Sequence, residues 1–297
     1  MATELRIRER PELERPVLIA AFRGWNDGAQ GASLAGGYLA KVWNAEQFAT
    51  IDPEGFFDFQ AVRPHVSLVR GLTRKIEWPE NAFYHARPQG LDRDAVLLLG
   101  IEPNLRWRTF TNLIVRLAKE LDVELVITLG ALLADVPHTR PSPVTGTATD
   151  PGLVERLGLS ASRYEGPTGI VGVLHDACQR QGLPSVSLWA AVPHYASLAP
   201  SPRAAVALLQ RLGELIEAGI EIEELETAAD VYTRQVSEAV AADEETATYV
   251  EELEQRTDSL TFEENLPSGD ALAAELARFL REREEGDGEP PDASSGR

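Results

Sequence analysis

Long apolar runs are missing from this 297-residue chain. A membrane-spanning helix needs about 18 consecutive apolar residues, and no stretch approaches that, so no membrane association is expected. Cysteine is nearly absent: Cys178 stands alone, which excludes an intramolecular disulfide and fits a reducing cytosol. The first sixteen residues, MATELRIRERPELERP, are charged throughout and lack the apolar centre of a signal peptide. Together these point to a cytoplasmic protein. Lysine is scarce as well, with Lys41, Lys75 and Lys119 beside 25 arginines.

Motifs of known chemistry are also lacking. There is no GxGxxG and no Walker-type loop, so nucleotide phosphates have no glycine cradle. His138 and His194 stand singly, without HxxxH spacing or clustered cysteines, so no metal is expected. His65, His85 and His175 read as structural. Ser33, in GASLAG, is one residue off the nucleophile-elbow pattern and falls inside a helix. Cys178 reads as a small buried residue. No catalytic residue and no cofactor is assigned.

What is present is unevenly spread. Residues 1–213 hold 22 basic and 22 acidic side chains, whereas residues 214–297 hold 6 basic and 25 acidic. The whole net charge of −19 therefore sits in the C-terminal part. That argues for two differently built regions and against nucleic acid as a partner, because phosphate contacts need Lys and Arg.

Short apolar runs at 16–22, 95–101, 124–129 and 185–192, with Gln47–Ile51 beside them, read as buried strands. Helices are expected over Asp27–Val42, from Glu102-Pro103-Asn104 onward with Trp107, Phe110, Ile114, Leu117 and Leu121 inward, over Thr168–Gln181, and from Ser201-Pro202 to Gly219. Asp150-Pro151 reads as the start of a short helix through Leu157. Residues 56–86, with a turn at Gly71-Leu72, look like antiparallel hairpins. The fold class is α/β: a three-layer α/β/α sandwich over a mainly parallel but mixed sheet.

Beyond Gly219 the spacing turns heptad-like. Leu225, Ala229, Tyr232, Val236 and Ala239, then Thr246, Val250, Leu253, Thr257 and Leu260, read as an acidic helical hairpin joined near Asp243. A third helix is expected over Asp270–Glu284. The expected organisation is a sandwich domain at 1–219, an acidic helical extension at 220–285 and a disordered tail at 286–297.

Residues 130–151, GALLADVPHTRPSPVTGTATDP, read as an ordered loop laid over a site or an interface. In open α/β sheets, ligands bind beyond the carboxyl ends of the parallel strands. The polar residues fall there: Trp25, Asn26 and Asp27; Glu102; Asp135, His138 and Arg140; Glu165 and Thr168, with Tyr164 before them; His194 and Tyr195. Each has a structural reading too. Asp27 suits a helix N-cap, and Glu102 suits either a first-turn acid or a buried acid with a partner. His138 and Arg140 suit pairing with Asp135 or Glu165, or ligand contact. His194-Tyr195 suits a packed turn.

GWND, LGALLADVPHTRPSPVTG, YEGPTGIVGVL and WAAVPHY followed by PSP resemble the bacterial, actinobacterial-type branch of the proteasome assembly chaperone family, over about Pro16–Gly219. The resemblance implies a sandwich of the nucleoside-phosphorylase type, a homo-oligomer, and proteasome subunits as protein partners. Some archaeal relatives dock through a tail ending hydrophobic–Tyr–any residue; this chain ends Ser-Ser-Gly-Arg, so that mode is not expected. The expected function is a non-enzymatic assembly or interaction protein. The competing expectation is a binder of, or enzyme on, a nucleoside-like or anionic metabolite at the polar rim.

Overall fold

The computed structural model describes residues 4–69, 73–149, 152, 160–161, 165–196 and 200–264. In chain order the strands are β1 (Leu5–Ile7), β2 (Val17–Arg23), β3 (Glu46–Ile51), β4 (His65–Val69), β5 (Thr73–Glu77), β6 (Asn81–Ala86), β7 (Ala95–Ile101), β8 (Leu125–Ala134), β9 (Val144–Ala148), β10 (Ser160–Ala161) and β11 (Ser185–Pro193). The helices are α1 (Gly31–Val42), α2 (Trp107–Glu120), α3 (Ile170–Arg180), α4 (Pro202–Ile216), α5 (Glu223–Ala241) and α6 (Glu244–Glu264).

Nine strands form one sheet in the order β1-β3-β6-β7-β2-β8-β11-β9-β10. Its centre, β7-β2-β8-β11, is parallel, while β1, β3, β6 and β9 add antiparallel pairings. The apolar runs sit at this centre because only there are both faces of a strand covered. On β2, Val17, Ile19 and Ala21 enter the core under α1 and α4, and Leu18, Ala20 and Phe22 enter the core under α2 and α3. On α2, Phe110, Ile114 and Leu117 are buried, each contributing roughly 1.5–3 kcal/mol of apolar burial. The layering is α/β/α, with α5 packed on α4 and α6 on α5.

Helix α5 opens with Glu223, Glu224 and Glu226 in its first turn, where the helix dipole favours negative charge. The Thr246 N–H donates to Asp243 Oδ1 at 2.7 Å, capping α6 and fixing the break between the two helices. Leu225, Ala229 and Tyr232 of α5 and Val250 and Leu253 of α6 are buried, and Val236 and Ala239 are not. The inward stripe therefore fades along α5.

Three expected boundaries move. Helix α1 starts at Gly31 rather than Asp27, because Asp27 still bridges Ala131 in parallel fashion. A 3-10 turn at Gly28–Gln30 follows, with Ala29 and Gln30 in left-handed conformation. Helix α2 starts at Trp107 rather than at Glu102-Pro103-Asn104. The Glu102 N–H still donates to Arg23 O, and those of Asn104 and Leu105 donate to Phe56 O. Strands take up ten residues of the long loop expected at 130–151. β8 runs on through Gly130–Ala134 against Trp189–Pro193, and β9 pairs with Val186–Ala190. Residues 135–143 connect β8 to β9.

Gly152 is helical, as the helix expected from Asp150-Pro151 to Leu157 requires; the rest of that helix, the turn at Gly71-Leu72, Tyr164, the helix over Asp270–Glu284 and the tail at 286–297 lie outside the described residues.

Candidate functional site

The eleven polar candidates reach the carboxyl edge of the sheet but form two separate groups there. The first group surrounds Glu102. Gly24, at the exit of β2, has φ +136°, and a Cβ there would stand 2.9 Å from Glu102 Cβ. The tight turn lets the Glu102 carboxylate fold back onto its neighbours. Oε2 accepts from the Trp25 N–H at 3.2 Å. Oε1 accepts from Asn26 Nδ2 at 2.7 Å and from the Ile170 N–H, in the first turn of α3, at 2.8 Å. One carboxylate thus ties together the ends of β2 and β7 and the start of α3, where the helix dipole favours it.

Asn26 is fully buried, and its backbone carbonyl accepts from the Ala131 N–H. Asp27 Oδ1 accepts from the N–H groups of Ala32 and Ser33 at 2.8 and 3.2 Å, capping α1 across the 3-10 turn. Burial raises the Asp27 carboxyl above the usual carboxylate range, opposed by the bonds from Ser33 and Ala32. Trp25 projects outward at 63% exposure. Glu165 and Thr168 are exposed.

The second group is held from outside by α5 and α6. His138 is buried; its backbone N–H donates to Tyr195 Oη at 2.8 Å, Nδ1 lies 2.8 Å from the same oxygen, and Nε2 lies 2.9 Å from Ser237 Oγ on α5. Two tautomers satisfy the ring contacts: with the proton on Nε2, Tyr195 donates to Nδ1 and Nε2–H donates to Ser237; with it on Nδ1, Nδ1–H donates to Tyr195 and Ser237 donates to Nε2. Burial lowers the His138 pKa below 6.5, with Glu254 opposing and Arg203 assisting. Burial likewise pushes the Tyr195 phenol up to about 12.

Arg140 grips α6 through a two-pronged contact with Asp258, Nε to Oδ1 and Nη2 to Oδ2, both 2.8 Å. Thr139 donates to Glu254, and Arg203 Nη2 donates to the Arg140 carbonyl at 2.6 Å. Asp135 lies 3.3 Å from His194 Nδ1, and its carbonyl accepts from Arg256 Nη2 at 3.0 Å. His194, Tyr195 and Tyr249 stack edge to face, and His138 joins through Tyr195.

His138 and Arg140 therefore do not pair with Asp135 or Glu165, one of the two readings left open for them. Their partners Ser237, Glu254 and Asp258 come from the acidic helices. The sequence signal was the carboxylate excess beyond residue 213, which leaves an arginine in a proline-stiffened segment as a natural counter-charge.

A cleft of about 1130 Å³ opens on the α1 side of the same edge, lined among others by Arg23, Gln30, Ser33, Arg63, Lys75 and Trp78. None of the eleven candidates lines it. Arg23, the last residue of β2, was the signal passed over. No group of three metal-ligating side chains occurs among the described residues, and no helix there is long and apolar enough to cross a membrane.

A sequence model of the PAC2 family matches residues 21–240. The chain belongs to the PAC2 family. A proteasome-assembly chaperone homologue of Mycobacterium tuberculosis is 45% identical, over 79% of this chain and 99% of its own, with a TM-score of 0.74. A PAC2 family protein of Streptomyces avermitilis is 48% identical over 79% of this chain and 99% of its own, with a TM-score of 0.73. An archaeal proteasome activator of Pyrococcus furiosus, 18% identical over 79% of this chain and 97% of its own, shares the fold at a TM-score of 0.64. Comparison with curated proteins finds no match. This PAC2-family chain thus resembles proteasome assembly chaperones in sequence and in architecture.

Proposed function

We propose that the chain is a non-enzymatic, protein-binding assembly factor of the proteasome-chaperone type, acting as a homo-oligomer with proteasome subunits as partners. The observation that supports this best is the occupation of the rim. Three N–H donors take both oxygens of Glu102, and α5 and α6 hold His138 and Arg140. A general acid or base needs a reactive atom turned toward a substrate, and these groups are turned toward their own chain. The kinship with an assembly-chaperone homologue supports the partner class. The test is capture: the purified full chain is mixed with proteasome α-subunits of its own organism and resolved by size, with chemical cross-linking. A mixed complex is expected, and two unmixed peaks without cross-links would sink the proposal.

The cleft favours one second reading, a nucleoside-like or anionic metabolite as ligand. Arg23 and Arg63 line it, and no carboxylate among the described residues forms a salt bridge with either. A thermal-shift series with nucleosides, phosphates and sugar phosphates tests it, since a ligand at 100 times its Kd stabilises by about 2.7 kcal/mol. Unchanged melting throughout the series would remove this reading.

A further inference from the structure

The ribbon made by β4 and β5 pairs with no other strand among the described residues, and all of its residues are exposed. A two-stranded ribbon alone in water is only marginally stable. The pleat sorts its side chains by face. The cross-strand pairs Val66–Ile76 and Leu68–Arg74 share one face, and His65–Glu77 and Ser67–Lys75 share the other. His65, Lys75 and Glu77 border the cleft. Ile76 reaches the cleft as well, and Val66, Leu68 and Ile76 are 62%, 67% and 57% exposed. Single apolar side chains on a surface are ordinary, but a contiguous set on a projecting element marks an interface.

Charge selects what covers it. Residues 63–78 carry Arg63, Arg70, Arg74 and Lys75 against one acid, Glu77, in a chain of net charge −19. Residues 223–264, which build α5 and α6, carry 14 acidic and 2 basic side chains, with Val231 exposed among them on α5. Within one chain no ribbon cation among the described residues bridges to these helices, and Lys75 is held by Glu77. Two like-charged ribbons would repel each other, whereas a ribbon and a helical pair attract.

We infer that the ribbon is a self-association surface, whose apolar face, with Arg74 beside Leu68, seats on the acidic α5–α6 pair of a second copy of this chain. The two surfaces differ, so either two copies exchange ribbons across a two-fold axis or the contact runs head-to-tail into a ring or filament. The inference deepens the oligomeric half of the proposed function and does not depend on the identity of the other partner.

The test uses the full chain, its mass followed by light scattering. Leu68→Asp, Val66→Asp/Leu68→Asp and Arg74→Glu are compared with the unmodified protein, with circular dichroism and melting as controls for folding. The unmodified chain is expected to be oligomeric, with association weakened by salt. The Asp variants are expected to be monomeric at the same concentration, and Arg74→Glu to dissociate at about tenfold higher concentration, a loss of about 1.4 kcal/mol.

A Leu68→Cys variant carrying a thiol-linked benzophenone maps the seat. Cys178 is buried and its thiol is pushed up to about 12, so labelling falls on position 68. In mixtures of isotope-labelled and unlabelled protein, intermolecular attachment to residues 223–264 is expected. Attachment to the second copy's own ribbon, or to a site away from the helices, would overturn the inference. So would Asp variants as oligomeric as the unmodified chain, which would leave the oligomeric reading itself standing. A chain monomeric at every concentration would overturn both, while α-subunit capture, measured separately, reports on the rest of the proposed function.

Discussion

Glu102, just past β7, accepts three hydrogen bonds from the segment after β2 and the start of α3, and a charged acceptor in that position is worth more than its area suggests. Removing it leaves three donors with reduced partners. Glu102→Ala is expected to cost roughly 2–4 kcal/mol in urea unfolding at unchanged m, with Glu102→Gln losing less. A stability unchanged by both would mean that the carboxylate serves something other than the fold. Gly169 stands under the same constraint, because a Cβ there would lie 2.3 Å from Asn26 Oδ1, which is buried.

His138 gives the residue scale its pH dependence. Its folded pKa is lowered by burial, so below about 6.5 the unfolded chain binds more protons than the folded one. The neutral-form stability is complete above the unfolded pKa and is lost as pH falls from there toward the folded value. His175 is lowered in the same direction and adds to the slope. His138→Gln is expected to flatten the decline between pH 7 and 5 in part, with His175 supplying the remainder. A melting curve whose pH dependence is the same in the variant would show that His138 titrates freely.

Among the elements, the turn before α1 and the helical pair carry the sharpest consequences. Ala29 and Gln30 are consecutive left-handed residues without a glycine, a conformation costing an L-residue about 1–2 kcal/mol. Ala29→Gly is expected to raise stability by up to about 1 kcal/mol, read as a higher denaturation midpoint. The pair α5–α6 is anchored by Tyr232, buried and donating to Ala196 O at 3.2 Å, and by Leu253. Leu253→Ala is expected to cost about 2–4 kcal/mol if the pair unfolds together with the sandwich. Amide exchange distinguishes the cases: a pair that opens by itself exchanges fast while β2 and β8 stay protected. Arg140→Ala, which removes the grip on Asp258, is expected to speed exchange in α6 and leave the central strands unchanged.

Across the whole molecule, the strongly periodic segments were legible because their environment is uniform. Strands buried on both faces must be apolar throughout, so β2, β7, β8 and β11 announced themselves, and Phe110, Ile114 and Leu117 marked the inner face of α2. The location of the acidic surplus was legible as well. The continuation of β8 through Gly130–Ala134 was not, since Gly130 and the prolines that follow, Pro137, Pro141 and Pro143, resemble a loop until β11 is there to pair with. Nor was the division of the rim. Nothing local links Arg140 to Asp258 or His138 to Ser237, which lie 118 and 99 residues apart. The amino-acid sequence by itself determined the sheet's core, the helices over it and the segregation of charge, because periodicity and composition act residue by residue. Only the tertiary structure decided that the His138 and Arg140 half of the polar rim is held by the acidic helices, because which side chains complete each other's hydrogen bonds depends on where α5 and α6 come to rest.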